Sequence, residues 1–352
     1  MTEEQTLSST PETRLVFNGA AQPLIEQFIS AAETESASRL GPALPSLALV
    51  LLLLGAVAVT LEYEYTKHAP RLAQLASAAV AGNSFGEIEL TAKAAIVEDL
   101  VNGRTLYAKN PDIQLPLASL TKVALVLAVG EVLPPEEIIT IPYDTAPKGS
   151  AERLAKGEKW PVRDIVDFTL IASSNAGAEI LASAADEALR SRYSEAPEGQ
   201  AALWRMNKIA EELGLSHTYF LNASGLDVSS TLSGAYGSAS DMAELFSYAA
   251  ALNPGVFGGT AEDGILLTAP NGSAKTRAFN TNEALGSIPG LIMGKTGITD
   301  LAGGNLAIVF DVGLAHPIVA VVLGSTREER FNDMRMLISE TQRVISQPEK
   351  AI

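Results

Sequence analysis

The 352-residue chain contains no cysteine. Disulfide scaffolds, zinc–thiolate sites, iron–sulfur clusters and cysteine nucleophiles are therefore excluded. Export is not, because an oxidising compartment permits disulfides without requiring them. Histidine is almost missing as well. His68, His217 and His316 are the three present, too few and too scattered for a multi-histidine metal site. Positive charge is scarce: Lys and Arg total 25 against 41 Asp and Glu, a formal net charge of −16. Phosphate binding needs the opposite balance, so no nucleic-acid partner is expected. No repeat with a period of tens of residues is visible, which removes solenoids and propellers. What the chain does have is apolar residues, 47% of the total, enough for a sizeable core.

The apolar residues are unevenly spread. Residues 1–42 form a polar, acidic segment, and the run Leu40–Leu61 carries no charge. At 1.5 Å per residue, 43–61 would extend about 28 Å as a helix, close to the hydrocarbon thickness of a bilayer. A helix on the surface of a globular domain keeps a polar stripe, and this segment has none. A single N-terminal transmembrane helix is expected at 43–61. A cleaved signal peptide is the weaker alternative, because some forty residues of net acidic charge precede the run where a short basic segment belongs. Residues 62–86 read as a linker, 87–346 as a globular domain and 347–352 as a tail.

Within the globular region, Ala94–Asp99 and Arg104–Ala108 flank Asn102-Gly103, a hairpin signal. Ser119–Val129 reads as a buried helix. Val162–Ser173 and Ala176–Ala188 read as two helices broken near Ser174-Asn175. Ala201–Leu213 reads as a helix stopped by Gly214, and Asp241–Ala251 as one capped by Ser240. Asn305–Val312 and Pro317–Leu323 form a second hairpin around Gly313, before a closing helix at Thr326–Ser346. Strands, many helices, strands and a helix predict an α/β (α+β) domain. Its antiparallel sheet would draw strands from both chain ends and pack against a helical cluster.

Three short motifs carry chemistry. Ser119-Leu120-Thr121-Lys122 places a serine and a lysine one helical turn apart on one face. A desolvated lysine there loses its proton near neutral pH and can activate the hydroxyl. Alone, the pair would read as an N-cap serine and a solvated lysine. The apolar setting favours chemistry, since a lysine among apolar residues needs a partner or a task. Ser173-Ser174-Asn175, at a helix break, can offer a proton relay and an amide donor, although ordinary turns use the same residues. Lys295-Thr296-Gly297 lacks the frame of a phosphate-binding loop. It supplies a cation and a hydroxyl beside a glycine that lets a ligand backbone approach a strand edge.

In this order the three motifs match the set S-x-x-K, S-D-N-type triplet and K-T-G. The chain resembles the serine-type D-alanyl-D-alanine carboxypeptidases, the low-molecular-mass penicillin-binding proteins. Leu115–Lys122 (LPLASLTK) is similar to that family's nucleophile segment, and Leu213–Asp227 (LGLSHTYFLNASGLD) to a stretch between its second and third motifs. Val162–Ala178, Ser238–Leu245, Gly290–Gly297 and Leu323–Phe331 extend the likeness over about residues 87–346.

The resemblance implies a β-lactamase/transpeptidase-like fold and an enzyme that removes the terminal D-alanine from peptidoglycan stem peptides. β-Lactams would be covalent inhibitors, and no metal or organic cofactor is implied. Ser119 would be the acylated nucleophile and Lys122 its base. Ser173 would relay a proton, and Asn175 would bind the substrate amide. Lys295 and Thr296 would hold the terminal carboxylate, with Arg330 near the same pocket. The backbone N–H groups of Ser119 and Ile298, beside Gly297, would form the oxyanion hole. The implied place is a bacterial cell membrane, single-pass, with the catalytic domain extracytoplasmic.

Two departures stand out: the N-terminal anchor replaces the family's usual cleaved signal, and Ala176 stands where many members carry aspartate. A β-lactamase would need a deacylating glutamate, and its E-x-x-L-N segment does not occur between Asn175 and Lys295. A wall-binding scaffold with the same fold is the non-enzymatic alternative, and an endopeptidase acting on cross-links is a close relative of the main reading.

Overall fold

The computed structural model describes residues 85–313 and 315–347. The acidic segment 1–42 and the span expected at 43–61 lie outside the described residues. Among the described residues, no helix is long and apolar enough to cross a membrane.

Five antiparallel strands make the central sheet: β1 (Ala94–Asp99), β2 (Arg104–Lys109), β3 (Leu291–Thr299), β4 (Gly303–Asp311) and β5 (Pro317–Ser325), in the order β3-β4-β5-β1-β2. Strands from both ends of the domain meet where β1 pairs with β5, Ala94 opposite Leu323 and Asp99 opposite Ile318. The period-2 pattern is fully used. Ala94, Ile96, Ala307, Val309, Val319, Val321 and Leu323 point into one core. Their neighbours Ala95, Val97, Leu306, Ile308, Phe310, Ile318, Ala320 and Val322 point into another. A sheet buried on both faces needs apolar residues at every position, which is why these strands read as continuous runs.

The longer helices are α1 (Thr121–Gly130), α2 (Val162–Ile171), α3 (Asn175–Arg192), α4 (Ala201–Glu212), α5 (Ala239–Leu252) and α6 (Glu329–Ser346). Helices α1 to α5 contribute to the first core, and α6 closes the second through Phe331, Met334, Leu337 and Ile338. Every residue of α1 from Thr121 to Val129 is buried, as expected of a helix that is apolar all round. Lys122 is its single charged side chain.

Several boundaries differ from the sequence reading. The folded domain takes in Phe85, which is buried and stacks on Tyr107 with ring centroids 5.3 Å apart. The β1–β2 hairpin has its expected connection 100–103, with a positive φ at Gly103 only. Buried Asp99 organises it, accepting from the N–H groups of Val101 (3.0 Å) and Asn102 (3.2 Å) and from Asn102 Nδ2 (2.8 Å). Helix α5 starts two residues early because Ser238, not Ser240, caps it, accepting from the Asp241 N–H at 3.1 Å. Asp241 is drawn inward instead, where it accepts from the His217 N–H and the Thr218 hydroxyl, each at 2.8 Å.

Candidate active site

The nucleophile segment is a single turn of 3-10 helix, Ala118–Leu120, leading into α1. Ala118 takes a φ of 49°, a conformation that costs a non-glycine residue free energy and persists only when its surroundings enforce it. The enforcing contacts are visible. The Ala118 carbonyl accepts from Thr121 Oγ1 at 2.7 Å. Gly225, itself at φ +78°, packs so closely that a Cβ there would meet the Ala118 oxygen at 1.9 Å. From β4, Asn305 Nδ2 donates to the carbonyls of Pro116 (2.9 Å) and Leu117 (3.1 Å).

Lys122 is wholly buried and makes three hydrogen bonds. Its Nζ lies 2.8 Å from Ser119 Oγ, 2.8 Å from Asn175 Oδ1 and 2.9 Å from the Ser224 carbonyl. Burial pushes its pKa down to about 7, since desolvation penalises the charged form. Ser119 stays half-buried and open to a ligand. The Ser224 carbonyl is fixed by Asn222, whose Oδ1 accepts from the N–H groups of Ser224 (3.2 Å) and Gly225 (2.7 Å).

The second motif sits between α2 and α3. Ser173 has a φ of 56°, the second non-glycine residue of the site in the left-handed region. Ser174 caps α3, accepting from the Gly177 N–H at 3.0 Å. Asn175 is the first residue of α3. Because its Oδ1 accepts from Lys122, its Nδ2 is left to donate towards a ligand.

The third motif lies on β3, an edge strand of the sheet. Lys295 is buried. Its Nζ donates to Ser173 Oγ and to the Thr296 carbonyl, both at 2.8 Å. Burial, with the positive charges of Lys122 and Arg330 nearby, holds its pKa well below the ordinary lysine range. Thr296 Oγ1 is 2.6 Å from Thr281 Oγ1. Gly297 is required by contact: a Cβ there would sit 2.8 Å from the Leu117 oxygen and 3.3 Å from the Ser119 nitrogen. The segments carrying the N–H groups of Ser119 and Ile298 therefore touch.

The fold thus brings Ser119, Lys122, Ser173, Asn175, Lys295, Thr296, Gly297 and Ile298 to one place. Ser173 is bonded to Lys295, and among the described residues neither Ser119 nor Lys122 is hydrogen-bonded to it. Arg330 has a bracing position: its Nη1 donates to the Gly297 carbonyl at 2.8 Å, and its guanidinium lies 4.6 Å from the Phe331 ring centroid. The sequence reading gave no role to Asn222, Ser224, Thr281 or Asn305. An asparagine inside the apolar run of β4 is the one local signal among them, since a buried amide needs partners.

The chain matches the family model described as D-alanyl-D-alanine carboxypeptidase over residues 80–327. It is 31% identical over 263 residues to D-alanyl-D-alanine carboxypeptidase DacF of Bacillus subtilis, covering 71% of this chain and 61% of that protein. It is 31% identical over 144 residues to the D-alanyl-D-alanine endopeptidase of Pseudomonas aeruginosa, covering 40% of this chain and 43% of that one. The chain therefore spans less than two thirds of either relative. Among solved structures, penicillin-binding protein D2 of Listeria monocytogenes in its ampicillin-bound form is 30% identical, with a TM-score of 0.60 over 72% of this chain and 98% of that one. The likeness fits the penicillin-binding, transpeptidase-like α/β architecture expected from the motifs. With its family match spanning most of the chain and its three motifs joined through the buried Lys122 and Lys295, the protein belongs to the D-alanyl-D-alanine carboxypeptidase family.

Proposed function

We propose that this chain is a serine D,D-carboxypeptidase that removes the terminal D-alanine of peptidoglycan stem peptides through an acyl-enzyme on Ser119, and that β-lactams acylate the same serine. The three contacts of Lys122 carry this reading. A neutral amine has two N–H bonds and one lone pair. Asn175 Oδ1 and the Ser224 carbonyl can only accept, so they take the two N–H bonds. The lone pair is left for Ser119 Oγ, 2.8 Å away.

Lys122 removes the hydroxyl proton as Ser119 Oγ bonds to the scissile carbonyl carbon. The displaced electron pair moves onto the carbonyl oxygen, facing the N–H groups of Ser119 and Ile298. The C–N bond then breaks, and the D-alanine nitrogen leaves with the proton that Lys122 held. Water hydrolyses the resulting ester by the reverse proton route. Asn175 Nδ2 orients the substrate amide, and Lys295 with Thr296 holds the terminal carboxylate. In this reading the domain works outside the cytoplasm, where the wall peptides are. Residues 43–61 serve as a single-pass span of a bacterial cell membrane, and residues 1–42 lie inside. A second reading, hydrolysis of D-alanyl cross-links, uses the same site with a larger leaving group. It is favoured by the Pseudomonas aeruginosa endopeptidase among the relatives.

The test is intact-mass spectrometry of the full chain in detergent, mixed with benzylpenicillin and followed over time. A persistent adduct that Ser119→Ala abolishes, with D-alanine release from a stem pentapeptide, supports the reading. An adduct that disappears at once favours a β-lactamase. No adduct in a folded protein moves the assignment to a wall-binding scaffold.

A further inference from the structure

Thr296 cannot be treated as an isolated hydroxyl. Its Oγ1 lies 2.6 Å from that of Thr281, and both oxygens share the single hydrogen that occupies that line. If Thr296 donates to Thr281, its only hydrogen points away from any ligand. If Thr281 donates to Thr296, the Thr296 hydrogen is free to point at an anion, and the two bonds polarise each other in the same direction.

Thr281 is held for this purpose by its surroundings. Its N–H donates to the Ile171 carbonyl at the end of α2, at 3.3 Å. The preceding Asn280 is anchored by Nδ2 to the carbonyls of Thr260 and Glu262, both at 2.8 Å, and its Oδ1 accepts from the Asn282 N–H at 2.9 Å. Asn282 Oδ1 in turn accepts from the Ala284 N–H at 3.1 Å. A threonine in a loop pinned on both sides presents one hydroxyl position rather than an average of several.

We infer that Thr281 is a positioning residue for carboxylate recognition, donating to Thr296 so that the Thr296 hydroxyl is aimed at the terminal carboxylate of the substrate. The inference rests on the carboxypeptidase reading and adds to it the element that separates a free carboxylate from a blocked chain end. Thr281 does not need to touch the ligand. A neutral end group gains little from an aimed donor, whereas a hydrogen bond to a charged acceptor is among the stronger ones.

The experiment compares the full chain with Thr281→Val, Thr281→Ala and Thr281→Ser, in detergent. The substrates are an N-acyl peptide ending in D-alanyl-D-alanine with a free carboxylate and the same peptide as its carboxamide. Thr281→Val keeps the side-chain shape without the hydroxyl, and Thr281→Ala serves if that variant does not fold. Thr281→Val is expected to lower kcat/KM on the carboxylate about tenfold or more, to leave the carboxamide nearly unchanged, and to be rescued by Thr281→Ser. Equal loss on both peptides, an unchanged ratio or no rescue by serine overturns the role of Thr281. If the unmodified chain cleaves neither peptide and takes no benzylpenicillin, the carboxypeptidase reading itself fails, and the Thr281 role fails with it.

Discussion

Lys122 Nζ lies 2.8 Å from the Ser119 hydroxyl and 2.8 Å from the Asn175 amide oxygen. One buried amine thus joins the first two motifs. With a pKa of about 7, it is protonated and has no free lone pair in acid, and it is a free base above neutrality. The acylation rate with benzylpenicillin is therefore expected to rise with pH through about 7 and then level off. Lys122→Ala is expected to lose ~10²–10⁴ in that rate. A rate indifferent to pH across neutrality would contradict the assignment of Lys122 as base.

Lys295 gives a second pH effect, read in binding rather than rate. In the free site its pKa is held well below the ordinary lysine range. A bound carboxylate favours the charged form and raises it. Between the free and bound values, binding takes up protons, so affinity falls as pH rises. Calorimetry of the Ser119→Ala chain with a D-alanyl-D-alanine peptide, in two buffers of different ionisation enthalpy, measures this uptake directly. No dependence on the buffer would remove Lys295 as the carboxylate partner.

Gly225→Ala is expected to damage stability and acylation together. The new Cβ would overlap the Ala118 carbonyl at a φ of +78°, and the backbone that must yield is the one leading to Ser119. Gly149→Ala is the control, because φ there is +96° but no atom lies within 4 Å. It should cost about 1 kcal/mol or somewhat more from the backbone alone and leave acylation intact. Thermal melts beside acylation rates separate the two, and equal behaviour of both variants would argue against the close packing at Ala118.

Asn305→Ala removes a side chain that satisfies Pro116, Leu117 and the Gly324 N–H at once, the last accepted by Oδ1 at 2.8 Å. Leaving buried backbone groups without partners costs about 1–3 kcal/mol each. A lower Tm and slower acylation are both expected, since Leu117 leads into the nucleophile turn. Slower acylation without a fall in Tm would mean that Asn305 acts on the chemistry by another route.

Much of this was legible in the sequence because it depends on local pattern. The continuous apolar runs of β4 and β5 mark a sheet buried on both faces, and the apolar run after Ser119 marks a core helix with one lysine inside it. The contacts that refine the site have no such local signature. Thr281 meets Thr296 across 15 residues, and Asn305 reaches Leu117 across 188. The resemblance puts Arg330 near the carboxylate pocket, and only packing reveals that it is committed to the Gly297 carbonyl. The Asn102-Gly103 hairpin was legible, but the buried Asp99 carboxylate that organises its connection was not.

The sheet also imposes an order in time. β1 cannot find β5 until more than two hundred further residues exist, a delay of roughly 10–45 s at ordinary synthesis rates of about 5–20 residues per second. For most of that interval Ser119, Lys122 and Ser173 are present in the chain, while the edge strand that carries Lys295 follows only at 291–299, shortly before β5. A nascent or truncated chain therefore holds the complete nucleophile motif without a competent site. Reactivity towards a β-lactam should appear late and abruptly in refolding, with closure of the sheet, rather than growing in step with helix content.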